Sequence, residues 1–552
     1  MAARLLHTYK HWAQWLGAQR ASRVIWSLAG LFCCWVLVDI FQLQVTGGMA
    51  QSAYDAMVRA RILVAAPDPR IVVLDIDESS LKKMATEFGR WPWPRDTLAS
   101  VLDYVEQQQP AAIVWDVLFS DADRLSPGGD AAFDAAVQRS RHSHFPVVRL
   151  QDSSDQQSQI TRHVLPTLWV PRPVPGGSDA ATVALIAPAL PAVANAPLGY
   201  NNGYVDSDGV LRRYRSFEVL RDGSAIQSMA MSVLSSVDPA AYAREVAALE
   251  HKTEHQNELI AWRRQAQAYP HYPIADVFEA ADSGKTDARL PALRGKIVLI
   301  GSTAASLHDI HPTPLAAYHP GVDALATAID NAVNQRHLYE LARWQNAAIA
   351  IALCLALAAW VQHRKISSLT PFTFALPAGL FFISYLTLNG SPVFVDLHLS
   401  AALAMLFLAI LRFWNQLRRD FWCDPATLPA QSLALWPLVR DTPWTEEALD
   451  RLIDFVEQRL PHARIVVPDV QLLLFQSLRW PELLQHAAIV GPQAALQQVH
   501  ADCAGQVWRL AQTHGKITPL SGPLQRDTLA RISMQAWSRI ESPHPGDPQP
   551  CP

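Results

Sequence analysis

No cysteine falls between residues 44 and 344 of this 552-residue chain. If that stretch is exported, it folds without disulfides, so a disulfide-dense secreted scaffold is excluded. Cys33, Cys34 and Cys354 lie in apolar runs, whereas Cys423, Cys503 and Cys551 follow the last of them and suit a reducing cytosol. Cationic excess is also missing. Lys and Arg number 46 against 50 Asp and Glu, a formal charge of −4, which argues against nucleic acid as a partner. Gly301-Ser302-Thr303 has no lysine beside its hydroxyl residues, as a phosphate loop requires. His308, Asp309 and His311 have no identifiable distant third ligand, so the loop reads as polar and no metal or cofactor is expected. Gly128-Gly129-Asp130 runs on into Ala131-Ala132-Phe133, which breaks a diguanylate cyclase signature.

The chain does have long apolar runs. Its mean hydropathy is +0.05 although 17% of residues are charged. A first span is expected at 24–43, after Arg4, Lys10, Arg20 and Arg23. An uncleaved anchor is preferred to a signal peptide because the run is long and well inside the chain. Three more are expected at 346–362, 369–388 and 393–411, with Pro377 and Gly379 kinking the third span. Gln362-His363-Arg364-Lys365 and Arg412, Arg418 and Arg419 flank them on one side. Under the positive-inside rule residues 1–23 and the tail are then cytoplasmic, and 45–344 is periplasmic.

Within 45–344, strands are expected at 71–76, 111–117, 145–150, 204–206 and 296–300. Helical patterns lie between several of them, such as Thr97 to Glu106, which predicts an α/β sheet at least partly parallel. Residues 166–198 read as an ordered loop excursion, and 239–267 as a charged, helix-prone insertion on the surface. Asp75 and Asp77 end the first strand on one side, so only one suits a dry environment. Trp91-Pro92-Trp93-Pro94 is an aromatic clamp that places Arg95. Asp77, Arg95, Asp116, Ser302, Thr303 and Asp309 are the ligand-binding candidates. The alternative is that Asp77 and Asp116 cap helices and Arg95 neutralises one of them. Asp208-Gly209 with Arg212 and Arg213 reads as a hairpin turn followed by exposed charge.

Beyond the last run, residues 420–541 read as a small α/β domain and 542–552 as a disordered end. Thr442 is the expected N-cap of a helix running to Leu460, where Pro461 ends it. Ala463–Val467 and Ala487–Val490 are expected strands, and 493–513 and 526–539 expected helices.

Ile76-Asp77-Glu78-Ser79-Ser80-Leu81, Arg90-Trp91-Pro92-Trp93-Pro94-Arg95 and Trp115-Asp116-Val117-Leu118-Phe119 are followed by Gly203 to Arg213, Gly295 to Ala304, and Asp309 with Thr313-Pro314 and Pro320-Gly321-Val322. In that order these blocks resemble the type-2 CHASE (CHASE2) family of extracellular sensory domains of bacterial transmembrane receptors. The resemblance covers about residues 45–340 and implies the layout of anchor, outer domain and three further helices. Relatives usually carry an output enzyme in the tail. Here there is no kinase glycine loop, no ATP lid and no cyclase carboxylate pair, so no enzyme is expected. The resulting expectation is an α/β periplasmic sensor domain with a mixed sheet, a four-helix transmembrane region and a small cytoplasmic α/β domain. It would detect an unidentified extracytoplasmic ligand and relay the signal to a separate cytoplasmic protein bound through 420–541, with self-association left open. The alternative is a structural membrane platform for an envelope assembly.

Overall fold

The structure is a computed structural model that describes residues 15–43, 47–124, 126, 128–170, 181–249, 258–283, 289–364, 366–423, 428, 433–440, 442, 444–467, 485–501, 513–514 and 517–520. The chain divides into two compact units. One comprises Gln44–Asn346 with Phe382–His398, the other Met1–Leu43, Ala347–Phe381 and Leu399–Pro552.

The first unit is built on a mixed sheet of β1 (Ile71–Asp75), β2 (Ala112–Trp115), β3 (Ser143–Arg149), β4 (Leu185–Ile186), β5 (Leu198–Tyr200), β6 (His271–Pro273) and β7 (Ile297–Gly301). Its order is β6-β1-β7-β2-β3-β4, with β5 also paired to β3. All pairs are parallel except β3 with β4. Each central strand is apolar on both faces, and its side chains alternate between two cores. Val72, Leu74, Ile113, Trp115, Val298 and Ile300 face one core, with Leu98, Leu102 and Val105 of the helix Arg95–Gln107. Ile71, Val73, Ala112, Val114, Ile297 and Leu299 face the other, against the helices Met229–Val237 and Gly321–Val333. The result is a helix–sheet–helix sandwich with the parallel strands' carboxyl ends along one edge.

The two segments read as peripheral differ from that expectation. Residues 166–198 contribute β4 and the short helix Pro191–Asn195, with 171–180 outside the described residues. The helix Pro239–Ala248 fits the helix-prone reading of 239–267, but Glu258–Leu259 pairs with Leu211–Tyr214, and Trp262 and Arg263 are buried. Arg263 is inside because the fully buried Asp330 meets its guanidinium at 2.8 Å. A buried charge persists only when paired and hydrogen-bonded, and sequence period does not show the partner.

Four helices are long and apolar enough to cross a membrane: Ala21–Leu43, Arg343–Gln362, Phe372–Gly390 and His398–Trp422. The third runs on through Pro377. In the second unit, Leu433–Val439 and His486–Pro492 pair antiparallel, and Arg464–Val466 flanks the latter. The helix Glu446–Arg459 packs Leu452, Ile453 and Val456 into the core with Trp436. Its N-cap is Thr445, whose hydroxyl accepts from the Ala448 amide, and not Thr442. The expected helix at 493–513 is described for 493–501 and at Thr513, which lies instead in the strand Thr513–His514, and the expected helix at 526–539 and the 542–552 end lie outside the described residues.

Candidate functional site

Ligand positions in an α/β sheet lie beyond the carboxyl ends of the strands, and β1, β7 and β2 each end there in polar residues. At the end of β1 the two aspartates diverge. Asp77 turns out of the strand and caps the helix Glu78–Phe88, accepting from the Ser80 amide at 2.8 Å and the Ser79 hydroxyl at 2.6 Å. Burial pushes its carboxyl up, but these hydrogen bonds outweigh it and leave the pKa below its ordinary value. Asp75 stays in the strand and is buried. It accepts from the Thr303 amide at 2.9 Å, the Thr303 hydroxyl at 2.6 Å and Nδ1 of His271 at 3.0 Å.

The other ring nitrogen of His271 meets Oδ1 of Asp323 at 3.1 Å. Burial opposes a charged imidazole, yet Asp323 and Asp75 together raise its pKa to about 9. His271 is therefore an imidazolium clamped between two carboxylates at neutral pH. Neither His271 nor Asp323 carries a local signal. Their roles follow only from β6 lying beside β1 and from the helix Gly321–Val333 beneath both.

After β7, the Ser302 hydroxyl donates to the Ile76 carbonyl at 2.8 Å and accepts from the Ala304 amide at 3.0 Å. Together with Thr303 on Asp75, this occupies the loop's amides with the protein's own acceptors. Ser302 and Thr303 lock β7 to β1.

Arg95 is not brought to Asp77 or Asp116. Its guanidinium pairs with Asp130 and donates to the Asp121 carbonyl, and its backbone amide donates to Asp123 at 2.8 Å. It lies 5.5 Å from the Phe119 ring centroid and fastens the loop after β2 to two helices. Trp93, buried beside Trp91, braces that corner as hydrophobic packing.

The open constellation is at the end of β2. Asp116 is half-buried and accepts from Nδ2 of Asn201 at 2.6 Å. Burial first, and then the charge of Asp309, raises its pKa to about 7, against the opposing pull of His311 and Asn201. Asp309 and His311 approach at 3.5 Å, each 38% exposed. The hydrogen bond that His311 donates to Asp309 raises its pKa, with burial opposing. A Cβ on Gly321 would lie 2.3 Å from Oδ1 of Asp309, and one on Gly301 would lie 2.9 Å from the Asp116 Cβ. Two glycines thus admit the two carboxylates. Asp116 and Asp309 were read from the sequence as candidates. Asn201 and His311 complete the group, and Asn201 had no signal. The group can accept hydrogen bonds, attract a cationic or polar solute and exchange a proton near neutrality. Among the described residues no group of three His, Cys, Asp or Glu is arranged for a metal ion.

Arg212 corrects the exposed-charge reading of the hairpin. It is 1% exposed and holds Asp55 at 2.7 Å, Asp206 at 2.9 Å and Asp208 at 2.7 Å, while Arg213 pairs with Asp206 and Glu340. Asp55 lies 157 positions earlier in the chain, beyond any local pattern.

A family model, the CHASE2 domain, matches residues 29–360, from within the first apolar helix to within the second. CHASE2 domains are extracellular sensory domains, typically the outer parts of membrane proteins. No curated protein and no solved structure matches the chain. With more than half its length matched, and with the order of motifs pointing the same way, the chain belongs to the CHASE2 domain family.

Proposed function

We propose that this protein is a bacterial inner-membrane receptor with residues 45–344 in the periplasm and both termini in the cytoplasm. It detects an extracytoplasmic solute at the cluster of Asp116, Asn201, Asp309 and His311. The observation that carries this reading is the group at the carboxyl edge of a parallel sheet in which half-buried Asp116, bonded to Asn201 and with its pKa raised to about 7 by burial and by Asp309, lies with the more exposed Asp309 and His311. A group poised there changes charge with small changes in its surroundings, as a detector requires.

The signal passes through the four apolar helices to the tail, which acts by contact with a cytoplasmic protein and not by catalysis. The topology is supported by the order of apolar runs and basic flanks. The relay is supported within the second unit. Arg418, near the end of the helix His398–Trp422, pairs with Asp454 at 2.7 Å and with Glu457, and Arg419 pairs with Asp450 at 2.7 Å. A displacement of that helix is therefore handed directly to the tail helix Glu446–Arg459.

The test is thermal melting of the solubilised full chain against a panel of periplasmic solutes, for wild type and Asp116→Asn. A solute that raises the wild-type Tm and leaves the variant's unchanged supports the receptor. No response to any solute, with envelope proteins retained in constant ratio through purification, favours a structural platform.

A further inference from the structure

The first unit carries an apolar pair that its own core leaves uncovered. Ile62 is 71% and Leu63 64% exposed, in the segment between the helix Gly47–Arg59 and β1. Their backbone is nevertheless held. The amides of Ile62 and Leu63 donate to Oδ1 of Asn389 at 3.0 and 3.2 Å, and the Tyr385 hydroxyl donates to the Ala60 carbonyl at 2.7 Å. Tyr385 and Asn389 lie in the last turns of Phe372–Gly390, one of the four helices long and apolar enough to cross a membrane. Two large aliphatic side chains are thus fixed at the level where that helix ends, and they point away from the protein.

Three arginines hold the backbone of this segment and its neighbour. Arg59 donates to the Pro314 carbonyl at 2.9 Å, Arg61 to the Leu63 carbonyl at 3.4 Å and Arg264 to the Ile62 carbonyl at 3.3 Å. Among the described residues no carboxylate forms an ion pair with any of the three, and Nε of Arg61 has no hydrogen-bond partner. Burial lowers the pKa of Arg61, opposed by Tyr54 and Tyr385. Exposed aliphatics ringed by cations without counter-ions, at the end of a spanning helix, match the headgroup boundary of a bilayer. There the apolar side chains enter the acyl region and guanidinium groups meet phosphates.

We infer that residues 59–64 with Arg264 form a membrane seat for the outer domain: Ile62 and Leu63 insert into the outer leaflet, and Arg59, Arg61 and Arg264 bind phospholipid phosphates. The inference rests on the spanning role of Phe372–Gly390. It adds a second attachment of the sensory domain to the bilayer besides the chain connections, and it makes the domain's orientation sensitive to the lipid at its foot.

The test places single nitroxide labels at Leu63, Phe382 and Ser153 of a cysteine-free full chain in nanodiscs of phosphatidylethanolamine and phosphatidylglycerol. It compares their collision rates with oxygen and with a water-soluble nickel chelate. Oxygen is expected to dominate at Leu63 and at Phe382 on the helix, and nickel at the exposed Ser153. Nickel dominance at Leu63 with oxygen dominance at Phe382 overturns the seat and leaves the span intact. Nickel dominance at Phe382 overturns the span itself. Photoreactive benzoylphenylalanine at Leu63 of the otherwise native chain decides the same question if the cysteine-free chain does not fold. Phospholipid adducts support the seat, and their absence while Phe382 forms them overturns it. Arg264→Glu should lower the Leu63 adduct yield, and an unchanged yield removes the phosphate contact from the account.

Discussion

Replacing Asp116 by asparagine should make the outer domain more stable at pH 8, and by only about a third as much at pH 5. The folded protein holds the Asp116 proton to about pH 7, against an ordinary 3.8. For a carboxyl raised on folding, the associated stability is complete below the unfolded pKa and is lost as pH rises through the folded one. At full strength that interval is worth about 4 kcal/mol. Asp116 is open to water on one side, so screening should leave about 1–2 kcal/mol of it. An asparagine keeps the shape and cannot ionise, so the variant avoids the loss. Its Tm advantage should grow from about 1–3 °C at pH 5 to about 2–8 °C at pH 8, read by differential scanning fluorimetry of the solubilised full chain. A benefit equal at both pH values, or a variant less stable at pH 8, would refute the burial argument for Asp116.

Arg212→Ala removes the cation shared by Asp55, Asp206 and Asp208, and should cost about 2–3 kcal/mol in chemical denaturation, because the mostly buried Asp55 loses this partner while Asp206 keeps Arg213 and Asp208 turns to solvent. Gly321→Ala places a methyl group against the Asp309 carboxylate. It should abolish any solute-induced Tm shift while the His271 clamp and the far-UV spectrum persist. Reporter fusions at Gln151 and Ser432 should show opposite sidedness, and the same sidedness at both would end the four-span layout.

The central sheet was legible because Ile71 to Leu74 and Ile297 to Gly301 are continuous apolar runs, as strands buried on both faces must be. The divergence of Asp75 and Asp77 was foreshadowed by the alternation that lets only one of them suit a dry side. What stayed hidden is long-range charge pairing. His271 meets Asp75 across 196 positions and Arg149 meets Glu218 across 69, and neither separation has a sequence period. Arg212 and Arg263 read as surface charges because arginine is rarely buried without a partner, and the partners Asp55 and Asp330 lie far away in the chain. In the tail, Pro437 disguised the strand Leu433–Val439, since proline argues against a central strand. At the candidate site, Asp116 and Asp309 were visible as carboxylates in the matching motifs. Asn201 became visible only once β5 was seen beside β3.

Relay from the Asp116 site to the tail is tested most directly by hydrogen–deuterium exchange of the full chain in nanodiscs, comparing wild type with Asp116→Asn at pH 8, where the two differ in charge. The account predicts altered protection both around Asp116 and in the tail at Glu446–Arg459 and Leu433–Val439, carried by the ion pairs of Arg418 and Arg419. A difference confined to the outer domain, with the tail's exchange unchanged, would contradict it.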